Sequence, residues 1–415
     1  MVRNKIGRGP PALETIPPEH LPGIISALFP AAAGSEPPND ARPTLMEEVP
    51  PVSEGEFEAA IFRLSERKTA PGPDGIPGRV WVKSMGPLKD RMRDLVPIGS
   101  EMKYLGLTLD SRWNFNAHFR QLAPKLKKTA MVLGRLLPNI GGPGSTCRRL
   151  YTGVIQSMAL YGAPIWAEHL SAQNKAMLRR PQRAMALRII RGYRTIAGEA
   201  ALALAGSPPW DLEARVLAEV YFRTAEVKER GERVPPDLVT RWRRQARVIL
   251  MRAWQDQMAS PTAGRQIVAA IRPVLQQWVA NARGALTYRM VQVLTGHGCF
   301  GHYLHHTARR EPTPRCHHCD HDDDTAQHTL LECPAWVEQR AVLVATTGLD
   351  LTLPAIISNM VRSRQGWDAI ATFCEEVMSQ KEAAERVREA DVAADPIRRR
   401  RGGRRRAEHE RQLPP

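Results

Sequence analysis

Four side chains in the C-terminal third carry the clearest chemistry. Cys316, Cys319, His328 and Cys333 are spaced C-x2-C-x8-H-x4-C. Two thiols two residues apart can reach one ion from a tight turn, and a histidine and a third thiol can close the shell from a short helix or turn. Three thiolates and one imidazole make a closed tetrahedral set, which suits a structural zinc and leaves no position for a catalytic water. His317, His318 and His321 lie close by, so the choice of imidazole stays open from sequence alone. Asp320, Asp322, Asp323 and Asp324 crowd the same loop. That acidity disfavours phosphate and points to a module that folds and positions its neighbours. A redox role for Cys316 and Cys319 would need a surrounding strand–helix pattern, which is not there. Cys147, Cys299 and Cys374 are scattered.

Other candidate motifs carry less. Gly141-Gly-Pro-Gly-Ser-Thr146 has the glycines of a phosphate loop but not the lysine, and reads as a helix breaker. His302, His305 and His306 suit a helix cap or a phosphate contact. Seven arginines fall within residues 398–406, a cationic tail suited to nucleic acid or to a nuclear address, or simply solvated.

The chain that must position these groups has 415 residues and a formal net charge of +16. The excess is a block. Residues 101–200 hold 16 basic and 4 acidic side chains, whereas residues 301–400 hold 12 and 16. A local cationic block suits a polyanion, because each neutralised phosphate releases counterions. Six cysteines exclude a disulfide scaffold. The start, Met1-Val2-Arg3-Asn4-Lys5, runs into Gly and Pro rather than an apolar stretch. No run of about 18 apolar residues suggests a membrane span. These features predict a reduced, intracellular chain, nuclear or cytoplasmic and not secreted.

Residues 55–68 place Phe57, Ile61 and Leu64 at helical spacing, and Thr69–Pro77 can only be loop. Residues 101–110 alternate as one strand and its turn. From about residue 114 to 200 the pattern is helical, with Lys and Arg opposite the apolar stripe, and further Arg- and Ala-rich helices follow over 210–300.

Four phrases of this sequence resemble the Pol polyprotein of non-LTR (LINE-type) retrotransposons, of the kind that inserts into arthropod ribosomal RNA genes. Lys68-Thr-Ala-Pro-Gly-Pro-Asp-Gly-Ile-Pro77 is similar to the loop that opens the reverse-transcriptase fingers. Lys103-Tyr-Leu-Gly106, then Leu109-Asp110, Phe115 and His118, are similar to the strand at the palm–thumb junction. Leu160-Tyr-Gly-Ala-Pro-Ile-Trp166, with Gln182-Arg183 and Tyr193-Arg-Thr195, resemble the thumb and the segment after it. Leu294-Thr-Gly-His-Gly298, Tyr303-Leu304 and Cys333-Pro-Ala-Trp336 resemble the C-terminal zinc-knuckle region.

The departures from the family are equally specific. Its palm supplies an aspartate on one strand and an aromatic-x-Asp-Asp turn, and these carboxylates hold two Mg²⁺ ions. Here only Pro77 to Met102 separates the first two phrases. That interval offers Asp90 and Asp94 but no such turn. The junction near Leu95-Val-Pro97 looks like an internal deletion joining finger entry to thumb entry. No phrase resembles the family's endonuclease.

The resemblance therefore implies a mainly α chain: a truncated fingers and thumb remnant with one or two short strands, a helical C-terminal region and a small zinc-knuckle module. The expected organisation is an extended lead-in over 1–54, a fingers remnant over 55–95, and the palm–thumb junction with a basic helical region over 96–205. A helical connector over 206–300 leads to the CCHC module over 301–345, helices over 346–390 and a disordered Arg-rich tail over 391–415. The expected activity is binding of RNA and DNA phosphates with low sequence specificity, without polymerisation. Lys68, Lys103, Tyr104, Gly106, Lys125, Lys127, Lys128, Arg148 and Arg149 are the expected contacts. Structural zinc is the expected cofactor. Mg²⁺ belongs to the intact family and is not expected here. The alternatives are a residually active reverse transcriptase and a zinc-dependent protein-interaction module. Oligomeric state is not legible.

Overall fold

A computed structural model of the chain describes Gly55, Glu58 and Phe62 and residues 101–280 and 284–398. The chain divides into two compact units, Met1–Ile98 and Gly99–Pro415. In the first, Gly55, Glu58 and Phe62 are helical. The rest of the fingers remnant, including Lys68 and the loop to Pro77, lies outside the described residues.

Among its described residues the second unit is mainly α with one two-stranded sheet. β1 (Glu101–Tyr104) and β2 (Leu107–Asp110) are antiparallel, with Tyr104 opposite Leu107. The expectation of one strand and its turn over 101–110 is thereby corrected to a hairpin. The turn is Leu105-Gly106, with φ of 46° and 83°. Positive φ at both central residues matches the twist of the flanking strands, but Leu-Gly lacks the Asn-Gly signature that would have announced it. Tyr161 braces the turn: its hydroxyl donates to the Leu105 carbonyl at 2.7 Å, and a Cβ on Gly106 would meet its ring at 3.4 Å.

Asp110 then reverses the chain. Its carboxylate accepts the N–H groups of Arg112, Asn114 and Phe115 at 3.1, 3.2 and 2.7 Å. This holds Trp113 and Phe115 in the left-handed region, conformations that cost an L-residue about 1–2 kcal/mol each. Phe115 is buried at the entry to α1 (Asn116–Arg135), and buried His118 accepts the Thr108 N–H on Nδ1.

α1 packs against α2 (Ser145–Ala159) and α4 (Ala172–Ile189), with the short α3 (Ala163–Trp166) alongside α6 (Trp210–Glu229). One core, including Phe119, Leu126, Ile155, Trp166, Leu178 and Trp210, lies among these elements. Phe119 and Trp166 meet edge to face at 5.1 Å.

Gly141-Gly-Pro-Gly144 breaks the run between α1 and α2, as its composition requires. Arg148 on α2 locks that break. Its guanidinium donates to the carbonyls of Pro143 at 2.9 Å and Arg188 at 2.7 Å, and also to Pro138. The side chain is fully buried. Burial, with Arg191 and Arg188 nearby, lowers its pKa to about 10, so it stays charged at neutral pH. Arg148→Ala is expected to lower stability by about 3 kcal/mol, because several buried carbonyls lose a donor at once. Arg148→Lys should restore little, since an ammonium cannot span the same fork. Urea unfolding checks this; a loss under about 0.5 kcal/mol, the scale of an ordinary surface substitution, would refute the role.

The second core runs from α4 to the last long helix. It takes in α5 (Gly198–Ala205), α7 (Pro236–Gln257), α8 (Arg265–Ile271), α9 (Leu275–Val279) and α10 (Tyr288–Thr295). It continues through α11 (Gly301–His306), α12 (Ala326–Leu331), α13 (Val337–Thr347), α14 (Leu353–Arg362) and α15 (Arg364–Ala390). α5 is almost wholly buried, and its Ala-rich sequence lets neighbouring helices approach closely. α15 carries the C-terminal region on one face, burying Ile370, Phe373, Cys374, Val377, Met378 and Lys381. Among the described residues no helix is long and apolar enough to cross a membrane.

Candidate metal centre and basic helical face

The ligand atoms of Cys316, Cys319, His328 and Cys333 all lie within 4.8 Å of one another. Ligands at zinc-bond lengths around a tetrahedron stand about 3.5–3.8 Å apart, so the four are close enough together to hold such an ion.

Local sequence explains the convergence. After Cys319 the chain turns through Asp320, at φ 58°, a conformation that Asp tolerates better than most residues. The Asp320 N–H then reaches the Cys316 carbonyl at 3.0 Å, and the Cys316 N–H reaches the His321 carbonyl at 2.8 Å. Thr325 caps α12 by accepting the His328 N–H at 3.0 Å, which sets His328 in the first turn. At the far end of α12, the Cys333 N–H donates to the His328 carbonyl at 2.8 Å. Arg340 on α13 holds this exit by donating to the carbonyls of Leu330 and Cys333 at 2.8 and 2.6 Å.

The choice of histidine left open by the sequence narrows. His328 turns Nε2 toward Cys319 Sγ, 3.2 Å away, and Nδ1 toward Glu332 at 3.6 Å. An imidazole that faces a metal with one nitrogen and a carboxylate with the other is the usual oriented ligand. His317 instead faces Glu311 at 3.4 Å, and His318 packs on Trp336. His321 stacks on His328 with ring centroids 4.3 Å apart. His321, His328 and Glu332 form a second possible group, but it would have to share His328 with three thiols.

Burial pushes the Cys316 thiol up to about 12 and raises that of Cys333. N–H groups of His318 and Ala335 work in the opposite sense on these two sulfurs. Burial and the neighbouring His321 hold His328 below its ordinary value, so its imidazole is neutral at physiological pH, the form that ligates.

Asp324 ties the loop to the rest of the fold. Its carboxylate accepts from Lys381 of α15 at 2.8 and 2.9 Å and from the Gly301 N–H at 2.9 Å. Gly301 is closely approached: a Cβ there would lie 2.5 Å from the carbonyl oxygens of Pro314 and Arg315. Glu311, also buried, takes Arg398 at 2.8 Å, Arg388 at 3.7 Å and His317. The acidity of the loop is legible in the sequence; the burial of Asp324 and its cation on α15 are not.

The expected phosphate contacts divide. Lys103, Tyr104 and Gly106 are exposed on the hairpin, and Gly106 also serves the turn. Lys125, Lys127 and Lys128 are exposed on α1. Lys125 and Lys128, three residues apart, share one helix face. Arg149 is exposed on α2 and borders a cavity of about 320 Å³ with Trp278 and Trp367. Arg148 departs from that expectation, since its guanidinium is buried among carbonyls.

Several family-like phrases have structural employment. Gln182 accepts the Trp210 N–H at 3.0 Å and donates to the Pro208 carbonyl at 2.7 Å. Arg183 donates to the Ile196 carbonyl. Gln182 thereby pins the entry to α6, and Arg183 pins the segment that carries Tyr193 and Thr195.

The chain's homologues are Pol proteins of retrotransposons without long terminal repeats. They belong to type-1 (R1) elements. A 115 kDa protein of element R1DM from Drosophila melanogaster is 26% identical over 301 residues, covering 69% of this chain and 29% of its own length. An R1 Pol polyprotein of Nasonia vitripennis is 28% identical over 278 residues, 66% of this chain and 70% of its own. One of Bradysia coprophila is 29% identical over 273 residues, 61% of this chain and 26% of its own. The chain thus spans less than a third of the Drosophila and Bradysia proteins. No family model and no solved structure matches it.

Proposed function

We propose that this retrotransposon-related chain binds RNA or DNA through phosphate contacts, holds one structural zinc, and does not polymerise. The observation that carries the binding reading is the exposed cationic face of α1, within a segment of 16 basic and 4 acidic residues. Phosphate contacts position a duplex without reading its sequence, so little base specificity follows. Zinc is supported by the Cys₃His geometry, which is closed and therefore structural. Inactivity is supported by the sequence between Pro77 and Met102, which offers no aromatic-x-Asp-Asp turn. Asp110, the acid of the second phrase, is already committed to three backbone N–H groups. Two-metal chemistry needs carboxylates converging on a shared pair of ions.

In the test, Lys125, Lys127 and Lys128 are replaced together by Gln. Fluorescence anisotropy on a short duplex between 50 and 200 mM salt is expected to show a log–log slope shallower by about 2–3, since each phosphate contact contributes about 0.9. An unchanged slope would remove α1 from the interface, and binding indifferent to salt would sink the phosphate reading. Primer extension with Mg²⁺ or Mn²⁺ is expected to give no product; clear extension would restore the reverse-transcriptase alternative.

A further inference from the structure

The third and fourth family-like phrases, a hundred residues apart, meet in space. Thr195 Oγ1 lies 2.9 Å from the Tyr303 hydroxyl and 3.2 Å from His297 Nδ1. His297 stacks on Tyr303, with centroids 5.0 Å apart and planes at 28°. Behind them Tyr193 packs edge-on to Tyr303 and stacks on Tyr288, whose hydroxyl donates to that of Tyr193 at 2.6 Å. The result is a braced aromatic platform with His297 at its end.

That end borders a cavity of about 660 Å³ beside the metal loop, within the ~300–1,000 Å³ span of small-ligand pockets. Its floor is apolar, with Leu294, Leu330 and Leu351, and its polar groups include Gln266, Gln327 and Thr307. Among the described residues no Lys, Arg, Asp or Glu lines it. The available charge is already used. His302 is paired with Asp323 at 2.8 Å, and the Thr352 N–H at the head of α14 donates to the Asp350 carboxylate at 2.9 Å. A phosphate would find no cation here and a carboxylate nearby. A neutral, flat ring with hydrogen-bonding edges would find a stacking partner, amides and hydroxyls. Burial holds His297 below its ordinary value, so the platform presents a neutral imidazole.

We propose that this cavity takes one unpaired base of a single-stranded RNA or DNA, stacked on His297, while the strand's phosphates stay outside. This base site deepens the nucleic-acid reading and rests on it. It gives the C-terminal region a role that its acidity would otherwise deny: contact through a base instead of through phosphates.

The test uses the full zinc-loaded chain and a single-stranded oligonucleotide carrying one 2-aminopurine. Wild type and His297→Phe are expected to quench the fluorophore and to bind alike. His297→Ala should abolish the quench and weaken single-strand binding about five- to hundredfold, the effect of losing one base–aromatic stack. Binding to a duplex of equal length should be the same for all three. Equal quench and affinity across the three proteins would overturn the base site while leaving nucleic-acid binding intact. Failure of every protein to bind either nucleic acid would overturn both readings. Wild type alone gives a second measurement that does not depend on how the variants fold. A 4-thiouridine strand should crosslink within residues 293–307, and crosslinks confined to other segments would overturn the site.

Discussion

Replacing both Cys316 and Cys319 by serine is expected to release one equivalent of zinc and to unfold the loop between Pro314 and Trp336. The expected effect is large because the loop has little regular secondary structure of its own. Between α11 and α13 the described residues contain only the six-residue α12 and a single helical turn at Pro334–Trp336. Cys316 and Cys333 are themselves part of the second core, so losing their convergence also exposes Leu330 and Trp336. Structural zinc contributes an apparent ~10–16 kcal/mol in small zinc domains at neutral pH, far more than a single side-chain packing change. Metal analysis should fall from one equivalent to none, and hydrogen exchange should accelerate over residues 301–340. An unchanged metal content would refute the assignment.

Acid should act in the same direction. The metal-free thiols of Cys316 and Cys333 are raised by burial, so both carry protons at pH 7 and zinc must displace them. Binding therefore releases at least two protons. Apparent affinity should fall by about two decades per pH unit as pH drops near neutrality.

The parts of this centre differ in how plainly the sequence announces them. The four candidate ligands are local and few in a cysteine-poor chain, so their spacing alone marks them. The helices of residues 114–200 are visible because apolar residues recur at three and four. The hairpin is hidden because Leu105-Gly106 carries no turn signature and depends on Tyr161, 56 residues away, for its brace. Arg148 reads as a phosphate contact because a basic residue on a basic helix looks like its neighbours; only the carbonyls of a distant helix end and a glycine loop reveal its work. His297 and Tyr303 belong to one family-like phrase, yet their meaning lies in Thr195 and Tyr193, which no spacing rule connects to them.

Lys381 shows what a closer period reading detects. The buried face of α15 runs through Ile370, Cys374 and Val377, continues to Lys381 and then to Glu385. A lysine on that stripe must be paired, because an isolated ammonium in the core is costly. Its partner comes from outside the helix: Lys381 is 1% exposed, Asp324 is 2% exposed, and the ammonium also lies 5.2 Å from the centre of the Phe300 ring.

Lys381→Met is accordingly expected to cost about 3–5 kcal/mol, mostly because the Asp324 carboxylate is left buried without its cation. Asp324→Asn should cost a similar amount by stranding the ammonium. The double variant, Asp324→Asn with Lys381→Met, removes both charges and should be more stable than the sum of the two losses predicts, since replacing a whole buried pair is often near neutral. The substituted amide still offers the Gly301 N–H a carbonyl acceptor, so the backbone at the head of α11 need not open. Urea unfolding of the four proteins gives the coupling. Zinc content distinguishes loss of this pair from loss of a ligand: neither residue is among the candidate ligands, so each variant should retain one equivalent while the helix face loosens. Single losses below about 1 kcal/mol would show that water reaches the pair. Additive losses would show that the two charges act independently, and that α15 is held on the metal loop by apolar contact alone.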